Sequence, residues 1–403
     1  MGIKRKIKNY IHIKKYYPLS EKTIPHDDHK KTILIVDSQI PTFDKDSASN
    51  RITEIAKFLA KYYNVYLVDW RKAIPNVESK KYITNLNDHN VIVYTPFINK
   101  YGILKGKKYF INNLLPKIDF VWCHRPELFE YYLDFFRNNA PQAKIIYDMV
   151  DIHYLRMERG LEIKYDKVRA REVGKYKYIE TELSKKADKI AVISDKEKEF
   201  MKAFVDESKL FTVSNVHNLK VSPEDMAPFE KREGIFFIGT FLHDPNVDAV
   251  EILHNQIMPL VWKVLPNLKI TIIGSEAPES ILRMNSEKFQ VVGYVEDVIP
   301  FYKKCFASVS PLRFGAGVKG KIGQALEYTL PVVTTEIGAE GMFLENRVTA
   351  LISGNNDYQN FADHIIEICS NKIIWETLHN NSEKAIYPFS IIAQKDEILK
   401  MLE

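Results

Sequence analysis

Residues 313–341 read RFGAGVKGKIGQALEYTLPVVTTEIGAEG. Gly315, Gly317 and Gly320 surround Val318, Lys319 and Lys321, and a helical pattern follows directly. The apolar run Pro331–Thr335 then reads as a strand. A glycine-rich loop at a helix start exposes backbone N–H groups and the positive end of the helix dipole. Lysines add charge that can follow a ligand, and the combination favours a phosphate group. Taken alone, the loop also fits a solvated surface turn. The rest of the chain decides between the two.

Upstream, short β-rich runs alternate with helical stretches. They are TILIVD (Thr32–Asp37), NVYLVDW (Asn64–Trp70), VIVYTP (Val91–Pro96), FVWCHR (Phe120–Arg125), KIIYDMVD (Lys144–Asp151) and KIAVISD (Lys189–Asp195). Between the first two, Ile52, Ile55, Ala56, Leu59 and Tyr63 share one helical face. The polar break MAPFEKREG (Met226–Gly234) restarts the pattern. IFFIGT (Ile235–Thr240), a helix over Asn246–Val264, LKITIIGS (Leu268–Ser275), QVVGYV (Gln290–Val295), CFASVSP (Cys305–Pro311), PVVTTE (Pro331–Glu336) and TALISG (Thr349–Gly354) continue it. Such alternation predicts an α/β protein of two doubly wound, Rossmann-like domains, joined near residues 217–232 and facing a central cleft. The expected division is a basic arm over 1–30, one domain over 31–220, a second over 232–385, and a C-terminal helix over 386–403 crossing back to the first.

The chain has 403 residues, 45% apolar and 27% charged, with a formal charge of +5. These values fit a globular protein, and no nucleic-acid-binding signature accompanies the mild basic balance. Cys123, Cys305 and Cys369 are far apart and odd in number, which suits a reducing compartment and offers no metal-ligand spacing. No apolar run approaches the roughly 20 residues that span a bilayer. Charge gathers at one end: Lys4, Arg5, Lys6, Lys8, Lys14 and Lys15 precede the first acid, Glu21, with Ile3, Ile7, Tyr10 and Ile11 at helical spacing. That arm fits an anionic membrane surface, a solvated tail or a helix packed on its own domain.

Four segments, in order, resemble the GT-B glycosyltransferases, specifically those similar to glycosyltransferase family 4. They are IIYDMVDIHYLRMERG (Ile145–Gly160), ADKIAVISDKE (Ala187–Glu197), IGTFLHDPNVDAV (Ile238–Val250) and GAGVKGKIGQALEYTLPVVTTEIGAEG (Gly315–Gly341). The likeness covers roughly residues 31–403. It implies transfer of a hexose-type sugar from a nucleoside-diphosphate sugar to a glycan, lipid-linked or protein acceptor, with retention of configuration. Cysteine usage implies a cytoplasmic location, and the basic arm over 3–17 admits a peripheral position at the inner membrane face. The donor would be held by Gly239, Thr240, Tyr294, Arg313, Lys319, Lys321, Gln324, Glu340 and Gly341. Ser47, Ala48 and Ser49 would line the donor–acceptor junction. His153, in the company of Asp148, Asp151 and Arg156, would face the donor sugar or the acceptor as the catalytic candidate, although a lone histidine also suits a structural role.

No cofactor or metal is implied. Asp44-Lys45-Asp46 imitates a metal-binding Asp-x-Asp, but it sits in the first strand–helix loop, too early for that role. Two departures from the family pattern stand out. Gln324 and Ala316 occupy positions where glutamates are expected. Glutamine keeps one carbonyl acceptor but is neutral. Those losses admit an alternative, a non-catalytic sugar-nucleotide-binding partner of another transferase. A sugar-nucleotide 2-epimerase fits the pattern poorly.

Overall fold

The protein is described as a computed structural model. The structure describes residues 24–70, 77–163, 165–315 and 317–403. The basic segment 3–17 and Ala316 lie outside the described residues. The first sheet contains β1 (Thr32–Asp37), β2 (Asn64–Asp69), β3 (Val91–Val93), β6 (Phe120–His124), β7 (Lys144–Asp148), β8 (Lys189–Val192) and β9 (Leu210–Thr212). A two-stranded hairpin, β4 (Phe97–Ile98) and β5 (Leu104–Lys105), interrupts the series. The second sheet contains β10 (Ile235–Ile238), β11 (Ile270–Ile273), β12 (Phe289–Gly293), β13 (Ala307–Ser310), β14 (Val332–Thr335) and β15 (Leu351–Ser353). Five helices matter below: α1 (Ser47–Leu59), α2 (His153–Ile163), α3 (Asp244–Ile252), α4 (Gly320–Glu327) and α5 (Ile391–Met401).

The strand orders are β3-β2-β1-β6-β7-β8-β9 and β12-β11-β10-β13-β14-β15. Every pairing within the two sheets is parallel. Each order reverses direction beside its first strand, the arrangement of a doubly wound sheet whose ligands sit beyond the strands' carboxyl ends. Strand composition explains the burial. Ile33 and Ile35 point to one face with Ile52, Ile55 and Leu59 of α1. Leu34 and Val36 point to the other with Phe129, Phe136 and Tyr147. A strand apolar on both faces needs cover on both.

The expected strand Val91–Pro96 stops at Val93, because Pro96 has no N–H for a ladder. Residues 97–105 form the two-stranded hairpin. The expected helix over Asn246–Val264 is α3, then a wide turn over Leu253–Ile257, then Met258–Val264. Pro259, which lacks an N–H, follows the wide turn. Helix α5 packs back on the first domain: Ile398 and Met401 join the α1 core. Gln394 accepts from Ser214 N–H at 2.6 Å and donates to Asn215 O at 3.1 Å.

One buried ion pair ties the first domain together. Arg51 of α1 and Asp148 at the end of β7 are both 0% exposed. Arg51 Nη1 donates to the two Asp148 oxygens at 2.8 and 2.6 Å. Its Nε and Nη2 donate to the carbonyls of Val213 and Ser214, and Trp122 Nε1 donates to Asp148 Oδ2 at 2.8 Å. Burial works against the Asp148 carboxylate, yet Arg51 outweighs it and holds the group below the usual carboxylate range. Asp148 is thus committed to Arg51 and does not stand with His153.

Two non-glycine residues after neighbouring strands are strained. Arg125 has φ 90° and ψ 149°, and Val150 has φ 67°. Such conformations cost on the order of 1–3 kcal/mol each.

Removing one member of a buried pair leaves the other charge uncompensated. Arg51→Ala should therefore cost about 3–5 kcal/mol in denaturant unfolding. Lys185→Ala, which breaks the exposed pair with Glu182, should cost about 0–1 kcal/mol.

Candidate active site

Two helix N-termini meet between the domains. Asp46 caps α1, its Oδ1 accepting from Ser49 N–H at 2.8 Å and its Oδ2 from the Ser49 hydroxyl at 2.7 Å. Asp44 accepts from Lys81 and from the Tyr82 hydroxyl. Both carboxylates of the Asp-x-Asp look-alike therefore have local work. Opposite, α4 begins at Gly320 with no side-chain cap and no acid in its first turn. A Cβ built on Gly320 would lie 1.6 Å from Ser47 Oγ and 2.6 Å from Ser47 Cβ. Two positive helix ends therefore face one space, an arrangement that favours an anion.

Lys321 points into the same space. Its Nζ donates to Asn246 Oδ1 of α3 and lies 4.3 Å from the centre of the Phe237 ring. Among the described residues no carboxylate forms an ion pair with it. Burial, with Lys319 beside it, pulls its pKa down to about 7. Lys319 is buried and donates to Gly317 O. Burial lowers it to about 8, against the attraction of Glu340 and Glu197. Gln324 follows Lys321 on the same face of α4, one turn on.

Gly239 and Thr240 leave β10 directly beneath this lysine. A Cβ on Gly239 would sit 2.6 Å from Asn246 Nδ2 and 2.9 Å from Lys321 Nζ, so only glycine lets the three converge. Asn246 Nδ2 donates to Thr240 O at 2.7 Å, and Thr240 Oγ1 accepts from the Ser275 hydroxyl at 3.2 Å. Arg313 is held elsewhere: its guanidinium grips Asp248 of α3 with two hydrogen bonds, and these raise its pKa. Tyr294 is 63% exposed just past β12.

The first domain contributes an acid–base cluster. His153 starts α2, and its Nδ1 lies 3.0 Å from both Asp151 Oδ1 and Glu180 Oε1. The ring stacks on Tyr176, with centroids 5.2 Å apart. Burial alone would lower the His153 pKa, but Asp151 and Glu180 raise it above the ordinary value. Glu180 also accepts from the His153 and Tyr154 N–H groups at 2.9 and 3.0 Å, capping α2 from outside its own sequence. Asp151 accepts from Arg156 Nε at 2.7 Å. Despite burial, Arg156 and His153 draw the Asp151 carboxyl down to about 2.

Several contacts join the halves. Arg159 donates to Gly315 O at 2.6 Å and lies 3.2 Å from Glu340 Oε2. Lys196 sits 2.7 Å from Glu340 Oε1, and Arg169 pairs with Asp244. Gly341, at φ 73°, packs against Ser194. Gly317 rests on Asp151, Ile193 and Glu197. Burial pushes Glu197 up to about 8, and its Oε1 has no hydrogen-bond partner. A cavity of about 60 Å³ at this junction, lined by Arg159, Ser194, Glu197, Gly317 and Glu340 among others, is too small for a nucleotide.

Known proteins share this architecture. The crystal structure of TarM superposes with a TM-score of 0.70 at 13% identity, over 93% of this chain and 99% of that one. HepE of Anabaena, solved in complex with UDP and glucose, gives 0.66 at 14% identity, over 93% and 99%. The lipopolysaccharide outer core galactosyltransferase WaaB gives 0.57 at 14%, over 92% and 99%. The fold is GT-B. Residues 232–371 match the family model for glycosyl transferases group 1. An uncharacterised 44.6 kDa protein in the cps region of Klebsiella pneumoniae is 27% identical over 176 residues, 41% of this chain and 43% of that protein. The match thus spans less than half the length of that curated relative.

Within the GT-B frame, Gly239, Thr240, Lys319, Lys321 and Gln324 gather around the α4 N-terminus, and Ser47 abuts it. Glu340 and Gly341 stand at the domain junction, Arg313 rests on α3, and His153 stands across the cleft. Asn246, Arg159, Glu180 and Glu197 escaped the sequence reading. Asn246 lies within the quoted His243-Asp244-Pro245-Asn246 turn and Arg159 within the quoted segment at 145–160, so a helix-start signal marked the first. Glu180 reaches His153 only through the tertiary fold.

Gly320→Ala should push the helix ends apart and cost about 1–3 kcal/mol, as overpacking does. Ser47→Gly in the same chain should restore most of the loss. Thermal unfolding of the single and double variants checks the coupling, and equal loss in both would show that the two positions do not touch.

Proposed function

We propose that this GT-B protein is a glycosyltransferase. In this reading it moves a hexose-type sugar from a nucleoside-diphosphate sugar to a glycan, lipid-linked or protein acceptor, with retention of configuration. The observation that carries the reading is Lys321: a partly buried lysine that forms no ion pair with a carboxylate among the described residues, at an uncapped helix start, facing a second helix start. Such a site favours an anion, and a diphosphate supplies one. As the bond to the sugar breaks, negative charge grows on the leaving diphosphate. Lys321 and the α4 N–H groups, already fixed in place, stabilise that charge. Gly239 lets the backbone approach the phosphates, and Gln324 offers its carbonyl to a ribose hydroxyl. UDP and UDP-glucose, bound by the structural neighbour HepE, are the first ligands to try. Retention, the hexose and the three acceptor classes come from the family resemblance; a cytoplasmic site of action near a membrane surface comes from the cysteine usage and the basic segment 3–17. Among the described residues no helix is long and apolar enough to cross a membrane.

The protein itself meets the diphosphate charge, so no metal is required in this reading. UDP release from UDP-glucose or UDP-galactose should continue in excess EDTA. Loss of release that Mg²⁺ restores would count against the mechanism. Gln324 favours a second reading, a partner that binds sugar nucleotides without turning them over. Tight UDP binding with no turnover in the presence of cell-derived acceptors would select it.

Lys321 also sets a pH dependence. Its pKa of about 7 lies below the ordinary lysine value, so the free protein holds it largely neutral at pH 8. A bound diphosphate favours the charged form. Binding of UDP at pH 8 should therefore take up protons, and affinity should fall as pH rises above about 7. Calorimetry in buffers of different ionisation enthalpy reads the uptake. Lys321→Met should abolish most of it and weaken UDP by about 1.5–3 kcal/mol. Unchanged affinity would remove Lys321 from the site.

A further inference from the structure

One stretch of the first domain is basic and partly apolar at its surface, and the donor reading makes no use of it. From His89 to Ile118 the chain holds Lys100, Lys105, Lys107, Lys108 and Lys117 and no aspartate or glutamate. The hairpin of β4 and β5 lies in the middle of this stretch. Its inner side is fixed. Phe97 and Ile98 are buried, and the Tyr94 hydroxyl donates to Lys105 O at 2.7 Å while its ring stacks on Phe110. Asn99 closes the tip: its N–H donates to Ile103 O at 3.0 Å, and its Oδ1 accepts from the Tyr101 and Ile103 N–H groups at 3.1 and 2.9 Å. Gly102, at φ 74°, makes a turn that glycine enters without strain.

This fixed tip holds apolar side chains out in water. Tyr101 is 75% exposed and Ile103 is 55% exposed. The helix Lys107–Leu114 follows, with Tyr109 43% exposed and Lys105 Nζ 3.8 Å from the centre of its ring. Lys107 Nζ lies 2.7 Å from Asp69 Oδ1, which holds the helix against the end of β2, where Trp70 is partly exposed. Lys100 and Lys108 are exposed. An isoleucine kept in water by a hydrogen-bonded tip contributes no burial to the fold, so the cover it needs comes from outside the chain.

The surrounding charges select the partner. Tyrosine, tryptophan and lysine favour the boundary between lipid headgroups and acyl chains, and basic residues are drawn to anionic headgroups. A second copy of this chain would set the same lysines face to face, because a two-fold interface pairs a patch with itself. A soluble polyanion would engage the lysines but leave Tyr101 and Ile103 in water. We propose that the hairpin tip and the start of the helix Lys107–Leu114 dock on an anionic lipid bilayer, with Tyr101 and Ile103 inserted among the headgroups. This contact is separate from the basic segment 3–17. The hairpin follows the carboxyl end of β3, and the strands from β3 to β7 are parallel. The docking surface therefore lies towards the edge of the sheet from which β7 leads into the cleft, and a bound bilayer lies on that side of the domain.

The proposal stands independently of the donor reading. The full chain is sedimented with vesicles of phosphatidylcholine alone and of phosphatidylcholine mixed with phosphatidylglycerol. Wild type should bind the mixed vesicles at low salt and leave the neutral ones. The double variant Tyr101→Ser, Ile103→Ser should weaken that binding about tenfold, with Tm unchanged. Lys100→Gln together with Lys108→Gln should weaken it too, by a factor that shrinks as salt rises. Tyr101→Trp should be quenched by brominated lipid more strongly than the wild-type chain. Binding to dextran sulfate, a soluble polyanion, should not change in the serine variant. Equal loss on vesicles and on dextran sulfate would assign the surface to a soluble polyanion and overturn the proposal. Undiminished vesicle binding by the serine variant would leave the segment 3–17 as the sole contact and overturn it as well. So would a wild-type chain that ignores anionic vesicles, or quenching of Tyr101→Trp no greater than that of wild type.

Discussion

The buried contact between Arg51 and Asp148 sets the geometry on which the cleft depends. Two charges in a dry interior are tolerated only when their hydrogen-bonding capacity is nearly filled. Here the guanidinium serves a carboxylate and two carbonyls, and the carboxylate also takes the Trp122 indole. The partners lie on α1, β7, β6 and the chain that leaves β9. One side chain thus fixes where α1 lies, where β7 ends and where the interdomain connection starts. Because α1 is locked on the sheet, its N-terminus is aimed at α4. Because β7 ends there, the next residues turn Asp151 and His153 into the cleft.

Charge in the cleft is arranged by pairing. Asp151 is matched by Arg156 and His153, Glu340 by Arg159 and Lys196, and Arg313 by Asp248. Each pair removes a competitor for the positive potential at the α4 start. Lys321 keeps a neutral amide and an aromatic ring as its neighbours, so its charge is not neutralised within the protein. The same burial that makes the lysine easy to deprotonate makes an incoming anion worth more there than in water.

Much of the fold was legible because it is local. Alternating β-branched runs such as Thr32–Asp37 and Ile235–Ile238, with amphipathic helices between them, dictate parallel sheets covered on both faces. The glycine loop and helix that carry Lys319, Lys321 and Gln324 were equally plain, since glycine spacing and helix periodicity are written within a dozen residues. Side-chain partnerships were not. Nothing near Arg313 in sequence announces Asp248, and nothing near His153 announces Glu180. Asp148 looked like a companion of His153 until Arg51, a helix residue that pattern alone would set on a surface, claimed it. The backbone of Arg125 was invisible for a different reason: propensity disfavours that conformation for arginine, and only the strand-to-helix turn at Pro126 imposes it.

The contacts between the domains have a mechanical character of their own. Arg159 on Gly315 and Glu340, Lys196 on Glu340, and Arg169 on Asp244 are all polar, and each includes a partly exposed side chain. Pairs in contact with solvent are individually worth little and are screened by salt. The halves are therefore held by a few weak clasps beside an apolar contact, where Ile193 of the first domain joins the core of the second with Val318 and Met342. A ligand bridging both helix starts would bind the shut form better than the open one and shift the population accordingly.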